Sequence, residues 1–446
     1  MRKAAAIFMT VCVIFSNAFS VKAQAVPAQV LSPEITVFDG GDTALLSDNK
    51  RSTKRRFTGS GSITLENTGD ITGLYLVWDA PVPARCTVTT QGLAPIITQG
   101  YLHEYVNLTG AVGEISLAWE GAATLCDVVA LGGTEIPEWV QLWQPAQSPC
   151  DLLVLPTHAD DEQLFLSGAM INATAIPNAE VQVAYMVNHN HEHYRPHELL
   201  NGLWAAGVRR YPVIPDFPDI YSDSLEHAKT IYDEQEILAY QLSLIARFRP
   251  QVIVGHDLNG EYGHGAHRLN AHTLTRAVEI AAEQPDGWDT PKLYLHLYAE
   301  NAIITNFDTP LEAFGGKTGF EVAQQGFAAH KSQQTYFSVE KSGPYDCRKF
   351  GLYRTTVGYD TGNDIFENIT LYANQLPPEP PESAPASLPE PAPSQEQDVS
   401  PSQSYLPQAQ NDRAFAFIGN PFVLAGFAAL LLLAALLLAN KNNRRH

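Results

Sequence analysis

The chain has 446 residues and carries 48 Asp and Glu against 28 Lys and Arg, a formal charge of −20 at pH 7. Its length exceeds one ordinary hydrophobic core, so more than one folded unit with appendages is expected. The acidic excess excludes nucleic acid as a partner, because that binding needs clustered Lys and Arg to displace counterions.

Residues 1–25 place Arg2 and Lys3 ahead of an apolar stretch and small residues around Val21-Lys22-Ala23, which reads as a secretory signal peptide. From 26 to 147 come the β-rich runs "GSITLEN", "GLYLVWD", "CTVTTQG", "EISLAWEG" and "LCDVVALGG", separated by Gly, Asn, Asp and Pro. Strands at that spacing predict a β-sandwich. This stretch is weakly similar to the galactose-binding-like accessory modules of secreted glycan enzymes. Trp78, Trp119, Trp139 and Trp143 are read as core aromatics ahead of sugar-stacking platforms.

From 148 to 375 strands alternate with helices: "DLLVLPT", a helix "EQLFLSGAMINAT", "VQVAYMVN", a helix "HELLNGLWAAGV", "YPVIP", a long helix from Asp223 to Phe248, "PQVIVG", a helix from Ala266 to Gln284, and "PKLYLHLY". The alternation predicts an α/β fold, a mostly parallel Rossmann-like sheet with helices on both faces, whose ligands sit outside the carboxyl ends of the strands. Residues 336–375 are a mixed extension of this unit. Residues 376–412 are rich in Pro, Ser and Glu and form an extended stalk. Residues 413–440 contain the apolar run Pro421–Ala439, roughly 28 Å long as a helix, enough to span a bilayer. Lys441, Arg444 and Arg445 then put the 441–446 tail in the cytoplasm and the folded units on the extracytoplasmic side of a single-pass membrane protein. With Cys12 in the leader, the remaining cysteines suggest the pairs Cys86–Cys126 and Cys150–Cys347.

Two polar clusters leave apolar strands. In "THADDE", His158 precedes Asp160, Asp161 and Glu162, a set that fits a metal ligand pair with a free base beside it. The plain alternative is that Asp160 caps a helix and its neighbours complement the helix dipole. In "VIVGHDLNGEYGHGAHRLNAH", His264 and His267 are three apart, a spacing that makes side chains neighbours on a helical turn, while His272 is read as a surface or core histidine. Both clusters lie at strand ends of one sheet. "NHNHEHYRPH" adds His189, His191, His193 and His197, read as a solvated loop at the mouth ahead of a second metal site. Asp216, Asp219 and Asp223 line the same mouth or form turns.

These motifs resemble the LmbE-like, or PIG-L-like, zinc-dependent N-acetylglucosamine deacetylases. His158-Ala159-Asp160-Asp161-Glu162 is similar to that family's His-Pro-Asp-Asp-Glu, and Tyr262-Gly263-His264-Gly265-Ala266-His267 to its Tyr-Gly-His-x-x-His. Arg195 and Glu198 match its Arg-x-x-Glu helix, and "AAHKSQQ" (328–334) its late His-x-Ser-Gln segment. The resemblance covers about residues 150–335. It implies that His158, Asp161 and His267 hold Zn2+ or another divalent metal, that Asp160 is the general base, that a protonated His264 and Tyr262 stabilise the oxyanion, and that Arg195 contacts the sugar or its attached group. The implied activity is hydrolysis of the acetamide of N-acetylglucosamine-type sugars or glycans by an enzyme anchored in the lipid bilayer. Ala266 departs from the Asp found there in relatives. A different acid must then support His264, and Asp257 and Glu261 are the candidates. The same departure motivates two alternatives: a surface glycan-binding protein with impaired turnover, and a zinc hydrolase of another N-acyl group.

Overall fold

A computed structural model describes residues 26–48, 50–67, 69–80 and 85–375, and the expected leader, stalk and membrane helix lie outside them. Among the described residues no helix is long and apolar enough to cross a membrane. Each β-rich run read from the first part of the sequence falls on a strand of one of two antiparallel sheets. One sheet runs Gln29–Leu31, Ala123–Gly132, Ile71–Trp78, His103–Asn107, with Arg55–Phe57 beside the start of Ala123–Gly132. The other runs Ile35–Val37, Gly61–Leu65, Val112–Trp119, Thr87–Gln91, Ile96–Ile97. Side chains alternate between faces with period two. Leu74, Leu76 and Trp78 therefore meet Ile63, Leu65, Leu117 and Trp119 between the sheets, while Tyr75 and Val77 join Cys126, Val129, Leu131 and Val140 on the outer face. Trp78 and Trp119 are core, as expected, but Trp139 is half exposed against Tyr75.

The second sheet system has the order Val181–Val183, Leu152–Val154, Val252–Gly255, Lys292–His296, Lys349–Thr355, Ala302–Ile304. Its first four strands are parallel, and Lys349–Thr355 from the extension after residue 336 runs antiparallel between Lys292–His296 and Ala302–Ile304. Both faces are covered, which is why the strands are apolar without alternation. Leu152 and Val154 face the layer of Ala169, Met170, Leu199 and Leu203; Leu153, Ile253 and Leu293 face Leu244, Ile245, Leu274 and Val278. Strand order reverses between Leu152–Val154 and Val252–Gly255, and the loops leaving these two strands border the resulting crevice.

Several local expectations differ. The helix read over 162–174 is two pieces, Asp161–Leu164 and Ser167–Thr174. The long helix is Leu225–Ile231 and Glu234–Phe248, because Asp233 leaves helical geometry to accept the Gln235 N–H as an N-cap. "YPVIP" forms only a bridge from Val213 to Ala184. Neither cysteine pair exists: all four thiols are free and buried, and the members of each expected pair belong to different apolar clusters, Cys86 away from Cys126 and Cys150 away from Cys347.

The sandwich rests directly on the α/β unit. Tyr101 stacks on Tyr211 at 4.0 Å, the Tyr211 hydroxyl accepts from Leu102 N–H, and Trp143 packs edge-on against Trp204 and Tyr211.

Candidate metal centre

After Val154 the chain turns sharply so that His158 N–H donates to Asp161 Oδ2 at 2.7 Å. Asp160, between them, has φ 131° and ψ −26°, a conformation that costs a non-glycine residue on the order of 1–3 kcal/mol. Its N–H donates to Glu162 Oε2 at 2.9 Å, and Glu162 Oε1 lies 3.0 Å from His330 Nε2. The strained turn sends the two adjacent carboxylates apart: Asp161 towards His158 and His267, Asp160 towards Arg195.

The second cluster enters from the far side of the crevice. Tyr262 stands in a left-handed conformation, φ 46° and ψ 23°, within the turn Glu261–Gly263, and His264 caps the helix Gly265–Glu283. Gly265 is required there, since a Cβ would lie 2.1 Å from the Ser224 carbonyl oxygen. His267, in the first turn, points its Nε2 back into the crevice.

His158 Nδ1, Asp161 Oδ2 and His267 Nε2 form a triangle with edges of 3.2, 3.0 and 3.2 Å. Ligands about 2.0–2.1 Å from a tetrahedral zinc stand roughly 3.4 Å apart, so the donor set fits one ion with little movement. The orientation agrees: His267 Nδ1 lies 2.7 Å from Glu261 Oε2, so Nε2 is the nitrogen turned to the other two donors. His256 also lies near, with Nε2 3.4 Å from Asp161 Oδ2, but that nitrogen accepts Thr157 N–H at 2.9 Å and its Nδ1–H is held by Glu261. It braces the loop rather than completing the ligand set. Glu261 receives a third imidazole, His296 Nδ1, at 2.7 Å on Oε1. Burial opposes its ionisation, but His256 and the hydrogen bonds from the three rings hold Glu261 well below the carboxylate range.

Burial and the charge of Asp161 push Asp160 up to about 7, against the pull of Arg195, whose Nη2 stands 3.7 Å from Asp160 Oδ1 and donates to the Ala159 carbonyl. Arg195 is itself buried. Asp161 is the opposite case: burial works against its charge, and His267 and His256 nevertheless hold it well below the usual range. Burial, with His158 and His267 close by, pushes His264 down to about 3, and its Nδ1 accepts Ala266 N–H at 3.3 Å. His264 is thus a neutral ring with Nε2–H to donate, not the protonated one that the resemblance implied, because burial among other imidazoles disfavours its charge. Neither acid named as its support reaches it. Glu261 serves His267, and Asp257 caps its own turn by accepting from Asn259 N–H. Burial and the Asp161 charge push the Tyr262 phenol up, so it stays a donor.

The four loop histidines separate. His189 Nε2 accepts Ala159 N–H at 2.9 Å, and its Nδ1 faces Asp219 Oδ2 at 3.2 Å, while Asp219 Oδ1 stands 3.4 Å from His158 Nε2. Asp219 is therefore a member of the centre that turn composition left undecided. His191 is exposed, and His193 and His197 lie at the sandwich junction. Asp216 borders an apolar cavity, Asp223 pairs with His227 on the surface, and His272 is exposed. The Arg-x-x-Glu and His-x-Ser-Gln segments meet: Glu198 accepts from Ser332 N–H at 3.0 Å and Oγ–H at 2.6 Å. His296, inside an apolar strand, carried no sequence signal.

No protein-family model matches the chain. It is 28% identical over 204 residues to the 1D-myo-inositol 2-acetamido-2-deoxy-alpha-D-glucopyranoside deacetylase 1 of Catenulispora acidiphila, covering 38% of this chain and 62% of the relative. It is 31% identical over 181 residues to the corresponding deacetylase of Mycolicibacterium gilvum, 34% of this chain and 61% of the relative. The chain thus spans about three fifths of the length of these relatives. Among solved structures, a triple mutant of a deacetylase of the teicoplanin biosynthetic pathway is 17% identical, with 42% of this chain and 82% of that chain covered and a TM-score of 0.29.

Proposed function

The chain is a distant homologue of the LmbE-like N-acetylglucosaminyl-inositol deacetylase family, and from that premise we propose that it is a zinc-dependent amidase removing acetyl groups from N-acetylglucosamine-type sugars or glycans. The observation that carries this reading is the triangle of His158, Asp161 and His267 donors with the unligated carboxylate of Asp160 beside it. Zinc held there supplies Lewis acidity and a water acidic near neutral pH.

Asp160, at about 7, takes the proton of the attacking water as its oxygen adds to the amide carbon. The carbonyl oxygen gains negative charge and meets two neutral donors, His264 Nε2–H and the Tyr262 hydroxyl. The C–N bond then breaks as Asp160 passes its proton to the nitrogen, which releases acetate and a free amine. His264, held neutral, is the poorer source of that proton. Arg195 borders the Asp160 side of the pocket, where it meets the sugar or its attached group. Export through residues 1–25 and anchoring through 413–440 belong to the same proposal and rest on the sequence of those segments. A site outside the membrane meets polymeric glycans.

One feature favours a second reading, hydrolysis of a larger N-acyl group. An apolar cavity of about 290 Å³, bordered by Leu102, Val187, Leu199 and Ile214, shares His189 with the metal centre. Acetate release by the full zinc-loaded chain, measured over N-acetylated sugars and glycans, tests the main reading. Release that falls on chelation and disappears in Asp160→Asn is expected. Equal and negligible release from both proteins overturns it in favour of a glycan-binding protein, and release of a longer acid in place of acetate selects the second reading.

A further inference from the structure

Away from the strand-end centre, another set of metal-ligating side chains converges where the sandwich meets the helix Arg195–Ala205. Asp79 follows the strand Ile71–Trp78, Cys126 belongs to Ala123–Gly132, and His197 to the helix. Each offers a donor atom within 4.8 Å of the others, and all three residues are buried. Cys126 occupies a bulge: Leu125 pairs with Trp78 and Asp127 with Val77, which leaves Cys126 unopposed. A bulge re-aims a side chain, and this one sits on the outer face of the sheet, the face that carries Tyr75 and Val140.

The hydrogen-bond chain behind His197 determines which of its nitrogens is free. Trp143 Nε1 can only donate, and it donates to Gln141 Oε1 at 2.9 Å, which identifies the oxygen end of that amide. His103 Nδ1 lies 2.8 Å from the same oxygen and therefore carries a hydrogen. His103 Nε2 in turn faces His197 Nδ1 at 2.7 Å. Ring nitrogens at that distance share one hydrogen, which engages His197 Nδ1 and leaves Nε2 as the nitrogen open to a cation, on a ring oriented by a hydrogen bond on its opposite side, as metal-ligating histidines are.

We propose that Asp79, Cys126 and His197 form a second, structural site for a borderline transition-metal cation such as zinc, with His193 as the fourth ligand. His193 Nδ1 is 3.2 Å from Asp79 Oδ2. A set of sulfur, imidazole and carboxylate donors selects zinc-like ions over magnesium or calcium. Tetrahedral zinc holds such donors roughly 3.5 Å apart, a separation within reach of donors that already lie inside 4.8 Å of one another. A cavity of about 330 Å³ bordered by Lys54, Asp79, His193 and His197 admits the ion. Lys54, whose Nζ is 2.8 Å from Asp79 Oδ1, is one-third exposed and swings to solvent as the cation arrives. The thiol, raised by burial to about 12, gives up its proton to the solvent when sulfur takes the metal. The bound ion clasps the sandwich to the helix whose first residue, Arg195, reaches Asp160.

Cobalt distinguishes the two sites, because the strand-end centre offers only nitrogen and oxygen. Sulfur-to-cobalt charge-transfer absorption in the near ultraviolet reports a cysteine ligand alone. Titrating the metal-free full chain with Co2+ should bind two ions, with that band saturating on one of them. The band should vanish in Cys126→Ala, and its affinity should fall by ~10–100-fold or more in His197→Gln, while the visible bands of the first ion persist. One ion per chain without the band, or a band that survives Cys126→Ala, overturns the proposal. Should Cys126→Ala not fold, an unchanged cobalt affinity in His197→Gln overturns it equally.

Discussion

The strand-end centre and the junction cluster are both buried imidazole relays, and they differ in what stands at the far end. Behind His267 is Glu261, a carboxylate that accepts from three rings at 2.7 Å each. Behind His197 is His103 and then the neutral amide of Gln141. Either end fixes a tautomer, but only the carboxylate makes the ligand more basic and offsets the charge of a bound cation. The first centre also contains Asp160, Asp161 and Asp219, whereas Asp79 in the second is answered by Lys54. Should both sites take a cation, this difference in charge favours the strand-end centre.

The strongest test of this contrast is Asp160→Asn, which should lower the rate of acetate release by ~10²–10⁴-fold with metal content unchanged, since it removes the proton carrier and no ligand. Near-normal turnover would mean that the carboxylate beside the metal carries no proton in the reaction, and Asp160 makes no side-chain cap that would explain it otherwise. Next comes His264→Ala, with a loss of ~10²–10³ in kcat and little change in bound metal if the ring is an oxyanion donor. Loss of metal in its place would make His264 a ligand and redraw the triangle. Glu261→Gln should weaken metal binding at the strand-end centre by ~10–100-fold in chelator competition and leave the junction untouched. Equal affinity in that variant would remove the distinction between a carboxylate and an amide behind the ring. The smallest effect is the converse change, Gln141→Glu, which should tighten cobalt at the junction by at most about tenfold, read from the charge-transfer titration.

Much of the first centre was legible because its halves are local. His158 and Asp161 lie three residues apart at a strand exit, His264 and His267 three apart at a helix start, and parallel α/β topology brings strand exits to one edge. The partners were less so. Glu261 looked like support for His264 from its nearness in sequence, yet the left-handed turn at Tyr262 carries its carboxylate to His267. Asp219 and His189 are ordinary loop residues until the segment 213–218 lies alongside residues 184–188, which follow the strand Val181–Val183. The two helix breaks were hidden for a related reason: apolar residues continue through Phe165-Leu166 and on both sides of Asp233, so the non-helical backbone at the first break and the Asp233 side-chain cap at the second do not interrupt the pattern.

By itself the amino-acid sequence determined the order of strands and helices, the apolar faces that bury them and the two ligand-bearing motifs, because each of these depends on residues within a few positions of one another. Tertiary structure alone decided which carboxylate backs which imidazole, and it alone assembled Asp79, Cys126, His103 and His197. Those four come from two differently folded regions, and no spacing along a chain encodes the docking of one sheet face on one helix.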